Sequence, residues 1–125
     1  MESEDKARHA ALAADDRKAS EVKILDVQGM CNFADYFVIC AGYSTLQLRG
    51  IADAVEGELK KKGATPLAVE GHGKANWIVI DYGDVVVHVM SEEARSYYAL
   101  ENLWGDARLV PFGARPAALR PPSEA

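Results

Sequence analysis

The chain has 125 residues, 49% of them hydrophobic, and a formal charge of −5. That suits one domain with a real core and argues against disorder over most of the length, and no apolar run nears the roughly 20 residues that cross a bilayer. Cys31 and Cys40 are too few for a disulfide scaffold and are read as reduced, with Cys40 buried in a strand. The opening residues Met1-Glu2-Ser3-Glu4-Asp5-Lys6 are charged and acidic, unlike a secretory signal or an Arg-rich transit peptide, so a cytoplasmic location is expected.

In chain order, residues 3–19 are Ala-rich and predict a helix whose apolar face holds Ala7, Ala10, Ala11 and Ala14. Val22–Val27 predicts a strand, and Tyr36–Ala41 a central strand buried on both faces. Ser44 is an N-cap and Gln47 completes a capping box. The helix that follows carries Leu48, Ile51, Val55 and Leu59 on one face, three lysines at its end and Gly63 as C-cap. Gly50 and Gly57 lie inside it and share a face, which close approach of another backbone would explain. Leu67–Val69 predicts a short strand and residues 71–74 a flexible loop.

Residues 76–90 predict a hairpin turning at Tyr82-Gly83-Asp84. A Gly83-Asp84 loop pairs Tyr82 with Val85, and a Tyr82-Gly83 loop pairs Asp81 with Asp84. Either register puts Ile78, Ile80, Tyr82, Val85, Val87 and Val89 on one face, apolar but for a phenol, and therefore the core face. The other face holds Trp77, Val79, Asp81, Val86, His88 and Met90, a mixture suited to meeting a partner. Ser91 caps a last helix over Glu92–Leu103. Residues 107–125 contain Pro111, Pro116, Pro121 and Pro122 and are read as a mobile tail beyond a domain of residues 1–106. The order α-β-β-α-β-β-β-α predicts a five-stranded mixed α/β (α+β) sheet covered by helices.

Between residues 70 and 106, Glu70, Asp81, Asp84, Glu92, Glu93, Glu101 and Asp106 face only Lys74 and Arg95, which equals the whole negative excess. Such a block repels phosphate backbones, so little direct nucleic-acid contact is expected. It favours a basic protein partner, although an acidic surface also simply keeps proteins soluble.

Catalytic chemistry finds little support. The Gly42-Tyr43-Ser44 helix start is similar to nucleotidyltransferases, but those enzymes need a pair of metal-binding strand carboxylates, and Asp81 is followed by Tyr82 and Gly83. Ordinary capping accounts for Ser44. His9, His72 and His88 have no ligand spacing, and Asp81 with His88 makes at most a weak acid–base pair on a shared face. No cofactor is implied. Trp77, facing away from the apolar side, and Tyr98 are read as partner contacts, against the ordinary alternative of semi-buried core aromatics.

Several segments, among them Asp35–Ile39, Gly42–Gln47, Val69-Glu70-Gly71, Trp77–Val89 and Tyr98–Asp106, together resemble the ribosomal silencing factor family (RsfS, Iojap-like) over residues 7–106. Tyr43 and Tyr97 stand where that family often has other residues, both mild departures. The resemblance implies a three-layer fold related to nucleotidyltransferases but without catalysis. It implies binding to the large ribosomal subunit through ribosomal protein fourteen, a steric block of subunit joining, repression of translation under nutrient limitation, and a homodimer when free. On this view Trp77, Asp81, His88 and Tyr98 form the centre of contact, with Glu70, Asp84, Glu93 and Glu101 as an acidic rim. A nucleotidyltransferase-like enzyme and a homodimeric scaffold without ribosome binding are the alternatives.

Overall fold

The computed structural model describes residues 1–71, 76–99, 102 and 104–112. The elements are α1 (Ser3–Asp16), β1 (Ser20–Asp26), β2 (Tyr36–Gly42), α2 (Thr45–Lys61), β3 (Ala68–Glu70), β4 (Trp77–Asp81), β5 (Val85–Ser91), α3 (Glu92–Tyr98) and β6 (Arg108–Leu109). The strands form one mixed sheet in the order β3-β4-β5-β2-β1-β6. Among the pairings of these described strands, β2–β5 is parallel and the others are antiparallel. Every residue of β2 is buried, as its unbroken apolar run predicts.

Two apolar clusters sandwich the sheet. The larger packs the alanines of α1 and Leu48, Ile51, Ala52, Val55 and Leu59 of α2 onto Val38, Cys40, Ile78, Ile80, Val87 and Val89. Burial pushes the Cys40 thiol pKa up to about 12, keeping it protonated. The smaller lies on the opposite face, where Ala94 of α3 joins Leu25, Phe37, Ile39, Val86 and Met90. The hairpin takes the register with Gly83-Asp84 as its loop, since the Tyr82 N–H donates to the Val85 carbonyl at 2.9 Å and Trp77 lies opposite Met90. Gly83 has φ +88° and Asp84 does not share the positive φ, the pattern of a II′ turn. All six residues expected on the core face belong to the larger cluster.

Helix α2 is capped as its sequence predicts. Ser44 Oγ accepts the Gln47 N–H at 3.1 Å, but Gln47 Oε1 takes the N–H of Tyr43 at 2.7 Å, one residue before the expected partner. At its end the Ala64 N–H donates to the Leu59 carbonyl and the Gly63 N–H to that of Lys60, with Gly63 at φ +88°, a Schellman motif.

Four expectations need correction. α1 stops at Asp16 rather than residue 19, because Lys18 turns left-handed (φ 64°) and the Ala19 N–H closes back on Ala14. α3 stops at Tyr98, because Ala99 takes the left-handed conformation. The segment after residue 106 adds a sixth strand: Leu109 pairs with Leu25, Arg108 reaches Asp26 at 3.0 Å, and Val110 is buried. A free β1 edge and two apolar residues suffice to dock it. Finally, a Cβ at Gly50 or Gly57 would meet nothing within 4 Å, so close backbone approach does not explain these glycines. Most of the loop read over residues 71–74 lies outside the described residues, except Gly71.

Gly57→Ala should therefore stabilise the domain by roughly 1 kcal/mol, raising the melting temperature by about 4 °C in a thermal unfolding scan. A lower melting temperature would show that something fills the space beside α2. Gly71→Ala should do the opposite, since Gly71 has φ +85° and its Cβ would collide with the Trp77 carbonyl oxygen.

Candidate functional site

The sheet face opposite α1 and α2 changes character from one edge to the other. Directly opposite residues share a face, so one row across the sheet reads Glu70, Val79, His88, Ile39 and another Ala68, Asp81, Val86, Phe37, Leu25. Toward β2 and β1 these rows are buried under α3 and the turn that carries Trp104 and Ala107. Toward β4 and β3 the face opens: Trp77, Val79 and Asp81 are half-buried, and Ala68 and Glu70 are exposed. The open part is thus a short apolar strip with a carboxylate on each side of Val79.

Trp77 opens β4 and packs against the smaller cluster without being sealed in it. Its indole N–H donates to His88 Nδ1 at 3.1 Å. His88 is only 9% exposed, and Phe37 packs edge-on to its ring at 5.4 Å between centroids. The imidazole is therefore an interior group, which corrects its expected place among the contact residues. Asp81 and His88 share the face but make no acid–base pair. The Asp81 carboxylate accepts the Gly83 N–H at 2.7 Å, and His88 is engaged by Trp77.

Of the expected rim, Glu70 lies on the open face and Glu93 stands exposed in the first turn of α3. Asp84 does not belong there: it is bonded to Lys6 of α1 at 2.8 Å, and the Lys6 ammonium sits 5.9 Å from the Tyr82 ring centroid on the main-core side. Glu92 accepts from the Ser20 hydroxyl at 2.8 Å. The Tyr98 side chain and Glu101 lie outside the described residues.

Sequence reasoning missed an aromatic chain beside this face. Phe33, 66% exposed in the β1–β2 loop, lies tilted by 35° against Phe37 at 6.0 Å between centroids, and Phe37 meets Trp104 edge-on at 5.4 Å. The parity of Phe37 in β2 could have signalled it; the loop position of Phe33 could not. Among the described residues no group of three or more His, Cys, Asp or Glu could hold a metal ion. No helix there is long and apolar enough to cross a membrane.

Residues 1–124 match the model of a family described as ribosomal silencing factor during starvation. A ribosomal silencing factor RsfS of Bacillus subtilis is 45% identical over 101 residues, covering 81% of this chain and 86% of the relative. An Iojap-related mitochondrial protein of Arabidopsis thaliana is 43% identical over 94 residues, covering 71% of this chain and 50% of that one. Among solved structures, a Chromobacterium violaceum protein aligns with a TM-score of 0.82 at 32% identity, covering 94% of this chain and 92% of its own. A Bacillus halodurans protein aligns at 0.71 and 39%, covering 82% and 92%.

Burial pulls the His88 pKa down from its ordinary 6.5 to about 4. Between those values the unfolded chain binds a proton that the folded chain refuses. Stability from this group is therefore complete above pH 6.5 and lost as pH falls toward 4, on the order of 2–3 kcal/mol by pH 4.5. His88→Leu should remove that share of the acid sensitivity. Urea midpoints at pH 7 and 4.5 for both proteins measure it, and an equal drop in the two would show a solvated imidazole.

Proposed function

The chain belongs to the ribosomal silencing factor family, and from that premise we propose that it docks on the large ribosomal subunit through the open β3–β4 face and keeps the small subunit from joining. The observation that carries this reading is Trp77, a half-exposed indole on a sheet face with Glu70 and Asp81 nearby. An indole face attracts cations and apolar stems alike, and carboxylates beside it attract the same lysines and arginines. A basic ribosomal protein meets both demands, and the family resemblance directs the proposal to protein fourteen of the large subunit.

The action is steric and needs no catalysis. A domain of this size on the joining face requires only affinity and bulk, and translation falls as subunits stay apart. We assign the protein to the cytoplasm, where bacterial ribosomes assemble, and its use to nutrient limitation. The free protein is assigned to a homodimer, as the family resemblance implies; β3, the end strand of the sheet among the described residues, offers an edge for it. Tyr98, Glu93 and Glu101 remain proposed contacts around the Trp77 centre.

Trp77→Ala should weaken co-sedimentation with large subunits by roughly 2 kcal/mol, about 30-fold, while the folded domain persists in circular dichroism. Wild-type co-sedimentation would remove Trp77 from the interface. Glu70→Lys should slow association and flatten its dependence on salt, with a smaller effect on dissociation. Added to ribosome halves, the wild-type protein should suppress their reassociation; free reassociation in its excess would overturn the steric reading.

A further inference from the structure

We propose that His88 is a positioning residue for Trp77: its Nδ1 holds the indole N–H, and this bond presets the ring as an anchor, without the imidazole meeting the partner. The inference rests on the reading of the Trp77 face as the docking surface.

The bond crosses the β4–β5 ladder diagonally. Trp77 lies opposite Met90, and His88 opposite Val79. Diagonal neighbours are within reach of two long aromatic side chains, and the donor–acceptor distance is 3.1 Å. The imidazole is itself held. Phe37 meets it edge-on at 77°, and Trp104 meets Phe37 edge-on at 80°. Only 9% of His88 is exposed, so it cannot serve as a contact. Burial also keeps the ring neutral at pH 7. A neutral imidazole that accepts at Nδ1 carries its proton on Nε2.

Two consequences follow for recognition. A half-exposed indole retains rotamer freedom that its contacts must restrict, and freezing such a side chain at binding costs about 0.5–1.5 kcal/mol. The His88 bond moves that ordering into folding. Second, the indole has one donor, and it points at His88. The exposed part of Trp77 then offers a partner mainly ring surface, which selects an ammonium, a guanidinium or an aliphatic stem over a hydrogen-bond acceptor.

The test uses the full chain labelled with ¹⁵N, with the Trp77 Nε1–H resonance assigned through Trp77→Phe. In His88→Leu that resonance should shift and exchange faster with solvent, and large-subunit affinity should fall about tenfold. His88→Asn, whose side-chain oxygen can stand near the Nδ1 position, should recover much of both. An unmoved resonance in His88→Leu, or a moved one with unchanged affinity, overturns the proposal. If His88→Leu does not fold, the wild-type imidazole ¹⁵N spectrum decides: an Nε2–H tautomer supports the bond and an Nδ1–H tautomer overturns it. Undiminished binding by Trp77→Ala would defeat the docking reading and this inference together. Loss in Trp77→Ala but not in His88→Leu defeats this inference alone.

Discussion

The turn at Gly83-Asp84 is the constraint on which the rest depends. Strand side chains alternate with a period of two, so slipping the β4–β5 register by one residue would exchange the two faces. Ile78, Ile80, Val85, Val87 and Val89 are fully buried against α1 and α2, and each contributes on the order of 1.5–3 kcal/mol by leaving water. In the slipped register Trp77, Asp81 and His88 would take their places, with a carboxylate in the main core. Local chemistry reinforces the register. Gly83 supplies the positive φ, Asp81 accepts its N–H, and the Asp84 carbonyl takes the N–H groups of Asp35 and Tyr36. Lys6 then ties the turn to α1. One turn thus decides which hairpin side chains are core and which lie on the half-open face.

Acidity is distributed by the same geometry, and less of it is available than the charge count suggests. Asp84 is spent on Lys6, Glu92 on Ser20 and Asp81 partly on the turn. Glu70 and Glu93 remain exposed. Exposed carboxylates lose little solvation when a cation approaches and gain little net energy from it. Their influence is on the rate and orientation of encounter, over a Debye length of roughly 8–10 Å. On the proposed docking reading, affinity comes from the apolar strip of Trp77 and Val79, where area leaves water, and steering and holding fall to adjacent residues.

The fold was largely legible because its signals were local and periodic. The central β2 strand, the Ser44 cap with its 3- and 4-residue apolar steps, the Gly63 stop and the facing of all twelve hairpin residues are read from spacing alone. Beyond reach were features that depend on contacts distant in sequence. Left-handed Lys18 and Ala99 end their helices although neither is glycine, the residue whose conformational freedom would have signalled the stop. β6 forms because β1 has a vacant edge, which the Pro-rich composition of the tail conceals. At the candidate site the face was legible and its depth was not. Parity placed His88 beside Trp77, but the imidazole is interior because Phe37, 51 residues earlier, packs against it. Asp84 counted as an acid in sequence and is paired in space, 78 residues from its lysine.

The start of α2 bears on the choice between a docking module and an enzyme. A helix N-terminus binds phosphate when its first-turn N–H groups point at open space. Here Ser44 Oγ accepts from Gln47 and Gln47 Oε1 accepts from Tyr43, at 3.1 and 2.7 Å. An anion at the Gln47 N–H would have to displace the Ser44 hydroxyl, a cap that stabilises the helix by about 1 kcal/mol. Two-metal chemistry would further need a second acid on the Asp81 strand, two positions on, where side chains share a face. Gly83 stands there, and its positive φ is what sets the hairpin register. An acid at that position would place an L side chain in the left-handed region and strain the turn. In this chain the position where a second strand acid would stand is the glycine that sets the hairpin register and with it the facing of Trp77.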